Sequence, residues 1–571
     1  MDSRAAADAL ERIGQLLELR GDNPFKTRAY HNAARALTAL DADDLAPLLA
    51  DGTLEDTPGL GPGTLAVVRD LVQTGRSSLL DQLAAETPPG LAELLHVPGL
   101  GTAKIHQLHT TLGVDSLDAL DTAARDGRLA GVKGFGAKTA EKIAKGIAFL
   151  RTTTGRVRFP EAAIEAARLV AAVRAQPGVV ATAVAGEVRR RLEIVGALDV
   201  VAAADAEVAV RLPAAHGVAA RLTRATPAGY ALALWRATGS AAHVAQVTER
   251  LAARGYALGD ENEAATADAG ALRGPGGEFA AVRDEADLYA LAGLAFVVPE
   301  LREGTGEVEA AAAGTLPALL EPADLRGVLH CHTTYSDGGA SVTEMAAAAQ
   351  AMGYAYIGIT DHSQSAAYAG GLTPAAVIKQ HAEIDRVNDD YAARGVAFRV
   401  LKGIECDILG DGDLDYDERT LARFEFVVGS VHSRFGLSAR EMTDRVCRAV
   451  ANPFLTVLGH PTGRLLLQRD AYAIDVGEVI AAAATHGASV ELNADPHRLD
   501  LDWRELRAAR DRGVLIEIGP DAHSPAGLAN VEFGVGVARK GWLGPGDVLN
   551  ARDADAVLAF ARAKREGTRA R

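Results

Sequence analysis

The sequence predicts a multidomain chain with a helical, hairpin-rich front part, a mixed α/β middle and a C-terminal array of repeated βα units. Three observations carry this reading. Short helical stretches in the first 150 residues are punctuated by three turns of one design, Thr57-Pro58-Gly59-Leu60-Gly61, Val97-Pro98-Gly99-Leu100-Gly101 and Val132-Lys133-Gly134-Phe135-Gly136. From Leu325 onward, apolar runs alternate with helical patterns, which argues for a parallel sheet or a barrel. Histidines and carboxylates recur just past the ends of those apolar runs. At 571 residues, about three to five domains are expected.

Composition excludes several classes. With 48% hydrophobic and 23% charged residues, the chain is neither disordered nor collagen-like. Aromatics are only 5%, so the cores should be aliphatic. A formal net charge of −16 excludes a uniformly basic nucleic-acid coat, and any DNA contact must use local basic patches. Three cysteines, Cys331, Cys406 and Cys447, are too few for a disulfide framework and fit a reducing cytoplasm, the expected location. Met1-Asp2-Ser3-Arg4 leads into an amphipathic helix pattern without a signal-peptide apolar region. No run of 18 apolar residues suggests a membrane span.

In the front part, Leu10, Ile13, Leu16 and Leu17 fall at helical spacing. The three glycine turns recur at irregular intervals of about 40 and then about 35 residues, so they are not a solenoid. Each precedes a helical stretch. Such a helix–hairpin–helix corner presents backbone N–H groups and a helix N-terminus to a phosphate without reading bases. Glycine is required there for positive φ and close approach. The expected DNA-backbone contacts are therefore Gly59, Gly61, Gly99, Gly101, Gly134 and Gly136, joined by Lys138. Seven basic residues against one acid, Glu141, between positions 133 and 158 form a patch that stands out in an acidic chain; a merely solvated helix face is the competing reading.

The middle reads as a helix over residues 161–175 and strands over 179–185, 197–203 and 230–237. The alanine-rich residues 309–320 read as a linker, or equally as a short helix. In the C-terminal part, apolar runs at 356–360, 398–404, 424–431, 455–458, 488–492 and 514–518 alternate with helical patterns such as 342–352 and 374–393.

His330-Cys331-His332 places two imidazoles on one face of a strand, where they can chelate one ion. Asp337 follows in a Ser-Asp-Gly-Gly turn. Asp361-His362, Glu405, His432, His460 and Asp521-x-His523 each follow or close an apolar run. In a βα barrel the C-terminal strand ends converge on one face. A lone histidine at a strand end is ordinarily a packed or surface residue, but six of the nine histidines after Leu325 join this pattern. His381 and His486 fall in helical patterns, and His497 also follows a strand. Nitrogen and oxygen donors without Cys suit Zn²⁺, Mn²⁺ or Fe²⁺, with Mg²⁺ an alternative. The donors are too many for one tetrahedral ion, so two or three clustered ions are expected, of the kind that activate water against a phosphoester. Cys331 and Cys406 read as packing residues.

These motifs resemble the PHP (polymerase and histidinol phosphatase) phosphoesterase family, as His330-x-His332, Asp337, His362, Glu405, His432, His460 and Asp521-x-His523. The segments 493–501 and Arg539-Lys540-Gly541-Trp542-Leu543 are also family-like, and Gly519-Pro520 departs from the usual Thr. The resemblance implies a distorted (βα)7 barrel with a trinuclear centre. His330, His332, Glu405 and Asp521 would hold one ion. Glu405 would bridge to a second held by His432 and His460, and Asp337, His362 and His523 would hold the third. The residues expected to carry catalysis are Glu405, Asp521 and His332. From about residue 12 to residue 550 the chain is similar to bacterial family X DNA polymerases of the PolX type. Asn23-Pro24-Phe25-Lys26-Thr27-Arg28-Ala29-Tyr30 resembles the start of their small DNA-binding domain. Thr238-Gly239-Ser240-x-x-His243 and Pro299-Glu300-Leu301-Arg302-Glu303 resemble palm and thumb signatures. The implied organisation is a helical DNA-binding domain (1–80), helix–hairpin–helix fingers (81–155), a palm and thumb (156–308), a linker (309–324) and a PHP domain (325–571).

The palm departs from its family. Templated nucleotidyl transfer needs carboxylates that hold two ions, and the family supplies two aspartates at i and i+2 with a third on a neighbouring strand. In Gly196-Ala197-Leu198-Asp199, Ala197 replaces the first, and positions 209–247 contain no acid. Asp199 alone survives. Gly186-Glu187-Val188-Arg189-Arg190 resembles the triphosphate-binding Gly-Ser-x-Arg motif, with Glu187 opposing a triphosphate. Asp199, Arg189, Gly239 and Ser240 are the residual polymerase site, and nucleotide binding is doubtful. Positions 63–73 hold no lysine for a Schiff-base lyase. The reading is a DNA-repair phosphodiesterase acting 3′→5′ on gapped, nicked or 3′-ended DNA, with abasic-site or 3′-end processing as further substrates. Its rivals are a family X polymerase with a proofreading PHP domain, a DNA-binding scaffold with structural metals, and a small-molecule phosphatase.

Overall fold

The computed structural model describes residues 1–40, 42, 44–97, 99–205, 209–213, 215, 217–259 and 272–567. Pro98 of the second glycine turn lies outside the described residues. The chain divides into two compact units, Met1–Thr154 and Gly155–Arg571.

The first unit is helical. Helix Ser3–Leu19 is capped by the Asp2 carboxylate, which accepts from Ala5 N at 2.7 Å. Its apolar stripe, Leu10, Ile13 and Leu17, is buried in one core with Ala33, Ala34 and Leu37 of helix Pro24–Leu40. In the three turns Gly59, Gly99 and Gly134 adopt φ of +99°, +84° and +92°, the left-handed region that favours glycine. Gly61, Gly101 and Gly136 then cap helices Pro62–Thr74, Thr102–Leu112 and Ala137–Thr153 without a capping side chain. Lys133 and Lys138 are exposed beside the third turn. Arg151 is drawn away to Asp118 and Asp121, and Lys145 pairs with Glu141. The patch is thus narrower than its composition implies.

In the second unit, a small sheet runs in the order Val179–Ala185, Ala197–Ala204, Ala219–Ala225. The central strand is antiparallel to the first and parallel to the last. Its alternation sends Leu198, Val200 and Ala202 toward the core shared with helix Phe159–Arg174, and Val201 toward Leu234 of helix Tyr230–Thr238. The expected strand over 230–237 is therefore wrong. Its Ala, Leu and Arg content favours a helix, and it lacks β-branched residues. The third strand is instead Ala219–Ala225, a half-exposed edge with two arginines and no apolar run to signal it. Helices Ala241–Ala253, Glu285–Leu291 and Glu307–Ala313 enclose a separate core around Trp235, Val247, Leu251 and Tyr289. The alanine-rich segment is tethered. Its first half is the helix just named, and Leu320 is buried, its N–H donating to Leu543 O at 2.9 Å.

The C-terminal part is an all-parallel barrel. Strands Gly327–Val328, Tyr356–Ile359 and Arg399–Lys402 pair in sequence. Glu405–Asp407, Val428–Ser430, Val457–Leu458, Ser489–Asn493 and Ile516–Gly519 do the same. Arg399–Lys402 and Glu405–Asp407 form one interrupted run, held to its neighbour on the far side of the break by the bridge His362↔Glu405. The bridge Cys331↔Ala522 closes the ring of seven strands. Helix Ala554–Arg565 covers the end where the strands begin, packing Val557, Leu558 and Phe560 in one cluster with Leu329, Tyr356, Leu401 and Phe426. The opposite end carries the histidines.

Candidate metal centre

Strand geometry places the donors. His330 and His332 continue the first strand, and the alternation that turns both inward sends Cys331 into the outer core. His362 lies just beyond Ile359, Glu405 opens the second half of the interrupted strand, and His432, His460 and Asp521 each sit two residues past a strand end. His460 and Asp521 have φ of +23° and +50°, a strained conformation for residues with a Cβ, of the kind that concentrates at functional sites.

Glu405 is the hub. Its Oε1 lies 3.0 Å from His460 Nε2 and 3.3 Å from His432 Nε2. Its Oε2 lies 2.9 Å from His362 Nδ1, 3.5 Å from His330 Nε2 and 3.7 Å from His332 Nε2. Asp521 Oδ1 stands 3.2 Å from His332 Nε2 and 3.6 Å from His330 Nε2. Asp337 faces His523 Nε2 at 3.4 Å, His362 Nε2 at 3.5 Å and His332 Nδ1 at 3.7 Å. All nine expected donors are thus brought together. For metal–ligand bonds of about 2.0–2.2 Å, neighbouring donors of a tetrahedral ion lie roughly 3.4 Å apart, which is the spacing seen. His330 Nε2, both His332 nitrogens, His362 Nδ1 and His460 Nδ1 are buried without a hydrogen-bond partner. Buried polar atoms are ordinarily satisfied, so this orphaned set fits metal ions. Three groups offer mutually close donors: His332 with Asp337, His362 and His523; His330 with His332 and Glu405; and His362 with Glu405 and His432. His332 and His362 therefore each border two groups, a sharing that the motif-based partition lacks.

The electrostatics keep the acids ionised. Burial disfavours the Glu405 carboxylate, but His432, His362 and His330 outweigh it and hold it well below the usual range. Asp521 is buried too, and His330 and His332 hold it down in the same way. Burial opposes the His362 and His432 cations, yet the Glu405 charge and its neighbours push them up to about 10 and about 9. Burial and the Arg498 charge push His460 down to about 4.

Around these donors stand residues that a search of strand ends misses. Glu491 Oε1 meets His330 Nδ1 at 2.5 Å, and its Oε2 accepts from His460 N at 2.5 Å. Asp407 Oδ1 meets His432 Nδ1 at 2.7 Å. Arg498 Nε approaches Asp521 Oδ2 at 3.5 Å. The missed signal is the two-residue period: Asp407 follows Glu405 on the same strand, and Glu491 lies two residues before Asn493, which itself donates to Asp521 at 3.1 Å. Such partners fix imidazole orientation. Glu491→Ala is expected to weaken ion binding at His330 by roughly 10–100-fold, with Glu491→Gln recovering part of it; chelator competition measures both. His381 packs on Phe424, and His497 pairs with Asp495 outside the cluster.

The residues expected to remain from a polymerase site have other engagements. Asp199 is bound bidentately by Arg221, at 2.7 and 3.1 Å, its register partner on the neighbouring strand. Gly186, with φ +59°, is pressed so close to the Asp199 carboxylate that a side chain there would collide with it. Arg189 bonds Glu285 at 2.5 Å and Thr238 Oγ1 at 2.7 Å. Glu187 accepts from Gly196 N at 2.6 Å. Ser240 caps helix Ala241–Ala253. Gly239 is packed against His243, which is buried between Glu307 and Tyr289. Among the described residues no helix is long and apolar enough to cross a membrane.

Four family models match the chain: a helix-hairpin-helix domain at residues 1–77, a SAM-like helix-hairpin-helix tandem at 91–148, the DNA polymerase beta thumb at 233–303 and the PHP domain at 329–493. A DNA polymerase/3′-5′ exonuclease PolX of Bacillus subtilis (strain 168) is 35% identical over 575 residues, covering 96% of this chain and 98% of that one. A probable phosphatase of Thermoanaerobacter sp. (strain X514) is 28% identical over 236 residues, 39% of this chain and 90% of its own length. A probable phosphatase of Syntrophotalea carbinolica is 27% identical over 247 residues, 41% of this chain and 94% of its own.

Proposed function

The chain belongs to the PolX family, and from that premise we propose that its barrel hydrolyses DNA phosphodiesters from the 3′ end while its palm has weak or no polymerase activity. The observation that carries the first part is the Glu405 hub: one ionised carboxylate ringed by five imidazoles at the mouth of the barrel. The helix–hairpin–helix turns bring the DNA backbone to the protein, and the palm serves as a docking platform. Free cysteines accord with the reducing cytoplasm, where we place the protein.

Two or three divalent ions, Mn²⁺ or Zn²⁺ with Fe²⁺ and Mg²⁺ as alternatives, would supply a nucleophilic water at neutral pH and polarise the phosphodiester. His330, His332, Glu405 and Asp521 would hold one, Glu405, His432 and His460 a second, and Asp337, His362 and His523 the third. Glu405 and Asp521 stay ionised and so remain donors rather than acids. Glu491 and Asp407 fix the tautomers of His330 and His432, leaving each Nε2 free to ligate. Arg498 sets a permanent positive charge beside Asp521, where it can meet a non-bridging phosphate oxygen. The same chemistry would process abasic sites and blocked 3′ ends.

The test is a 5′-labelled primer–template incubated with Mn²⁺. Shortened products are expected. Chelation should abolish them and added Mn²⁺ restore them, while far-UV circular dichroism stays constant, because the barrel closes through backbone pairing and an apolar core. Shortening that persists in chelator would sink the metal assignment. The probable phosphatases match about two-fifths of this chain over nearly their whole length, so a phosphomonoesterase is the second reading. Faster turnover of a phosphomonoester than of DNA would favour it.

A further inference from the structure

The loop between strand Tyr356–Ile359 and helix Pro374–Ala393 does more than deliver His362. At its tip Tyr368 is 73% exposed, a large aromatic face in water in a chain with few aromatics. The exposure is not slack. Ala366 and Ala369, on either side, are buried. The loop closes on itself, with Leu372 N donating to His362 O at 2.8 Å and Gly371 N to Ala366 O at 3.1 Å. Gly371 lies against Ser363 O too closely for any side chain. Ser365 N donates to Asp415 Oδ2 at 2.6 Å, tying the loop to a second segment.

The ring of Tyr368, carried on this braced loop, lies beside the metal centre. Its centroid is 6.3 Å from that of the His362 imidazole, and its hydroxyl lies in the field of Asp407, Glu405, Asp337 and Arg498. A phosphate at the centre would bring its own nucleotide to this ring. Aromatic faces beside a phosphate-binding site stack on bases, whatever the base, because every base has a π-face.

We infer that Tyr368 is the stacking platform for the terminal nucleobase of the strand being cut, so that the centre favours a base-bearing DNA 3′ end over an abasic one. The inference rests on the phosphodiesterase reading above.

The experiment compares two single-stranded oligonucleotides that differ only at the 3′-terminal residue, a thymidine in one and an abasic tetrahydrofuran in the other. Wild-type protein should prefer the base-bearing end by roughly tenfold in kcat/KM, the size of one stacked base. Tyr368→Ala should erase that preference, and Tyr368→Phe should keep it. Because the readout is a ratio between substrates, a general loss of activity does not imitate it. A preference that survives in Tyr368→Ala, or that wild type lacks, overturns the inference and leaves the phosphodiesterase reading standing. If wild type shortens neither oligonucleotide, the phosphodiesterase reading falls and this inference falls with it.

Discussion

Glu405→Ala will abolish hydrolysis of the labelled primer, lowering kcat by at least roughly 10²–10³-fold, the loss that follows removal of one preorganised electrostatic group. The physical case is its position. Both carboxylate oxygens face imidazoles, at 3.0 Å from His460 and 2.9 Å from His362, so one side chain serves more than one donor group. Its removal also takes away the charge that raises His362 and His432. Those rings would then bind protons less readily, so the variant loses a bridge without gaining a competing proton. Its residual ion binding, read by chelator competition, should fall together with its rate. Glu405→Gln keeps the shape but not the charge, and should be nearly as inactive. Full hydrolysis by either variant would remove the centre from the mechanism.

Much of this centre was legible in the sequence because barrels turn spacing into geometry. A His-x-His pair and single donors at successive strand ends converge whatever the intervening loops do. The residues that hold the donors were less legible. Glu491 looks like any acid within an apolar run, and only its contact with His330 Nδ1 shows what it holds. Arg498 lies in a loop whose course no periodicity predicts. In the palm, Ala197 and the missing third carboxylate were readable as absences. The substitute was not: Arg221 lies on an edge strand without an apolar signature, and only pairing shows that it faces Asp199. The helix at Tyr230–Thr238 shows the converse failure, in which a short apolar run carries too little pattern to separate strand from helix.

That substitute underlies the second large effect. In a Glu405→Ala background, where shortening cannot mask extension, primer–template with four dNTPs and Mn²⁺ or Mg²⁺ will yield no lengthened strand. Two-ion nucleotidyl transfer needs carboxylates to gather the ions, and of the expected set Asp199 alone remains. Arg221 holds it bidentately, so an incoming ion must break a charge-assisted pair and then sit beside a guanidinium. The triphosphate side is closed as well. Arg189 is committed to Glu285, and Glu285 is pinned in turn by the buried Arg302. Restoring Ala197→Asp alone should therefore leave extension undetectable, because Arg221 still neutralises the site. Ala197→Asp with Arg221→Ala frees two carboxylates but still lacks the third, and should bind Mn²⁺ at the palm without extending a primer. Calorimetric titration of the double variant separates that binding from turnover. Extension by the Glu405→Ala protein that disappears on Asp199→Ala would mean that one carboxylate suffices, and the palm would have to be counted as a working polymerase.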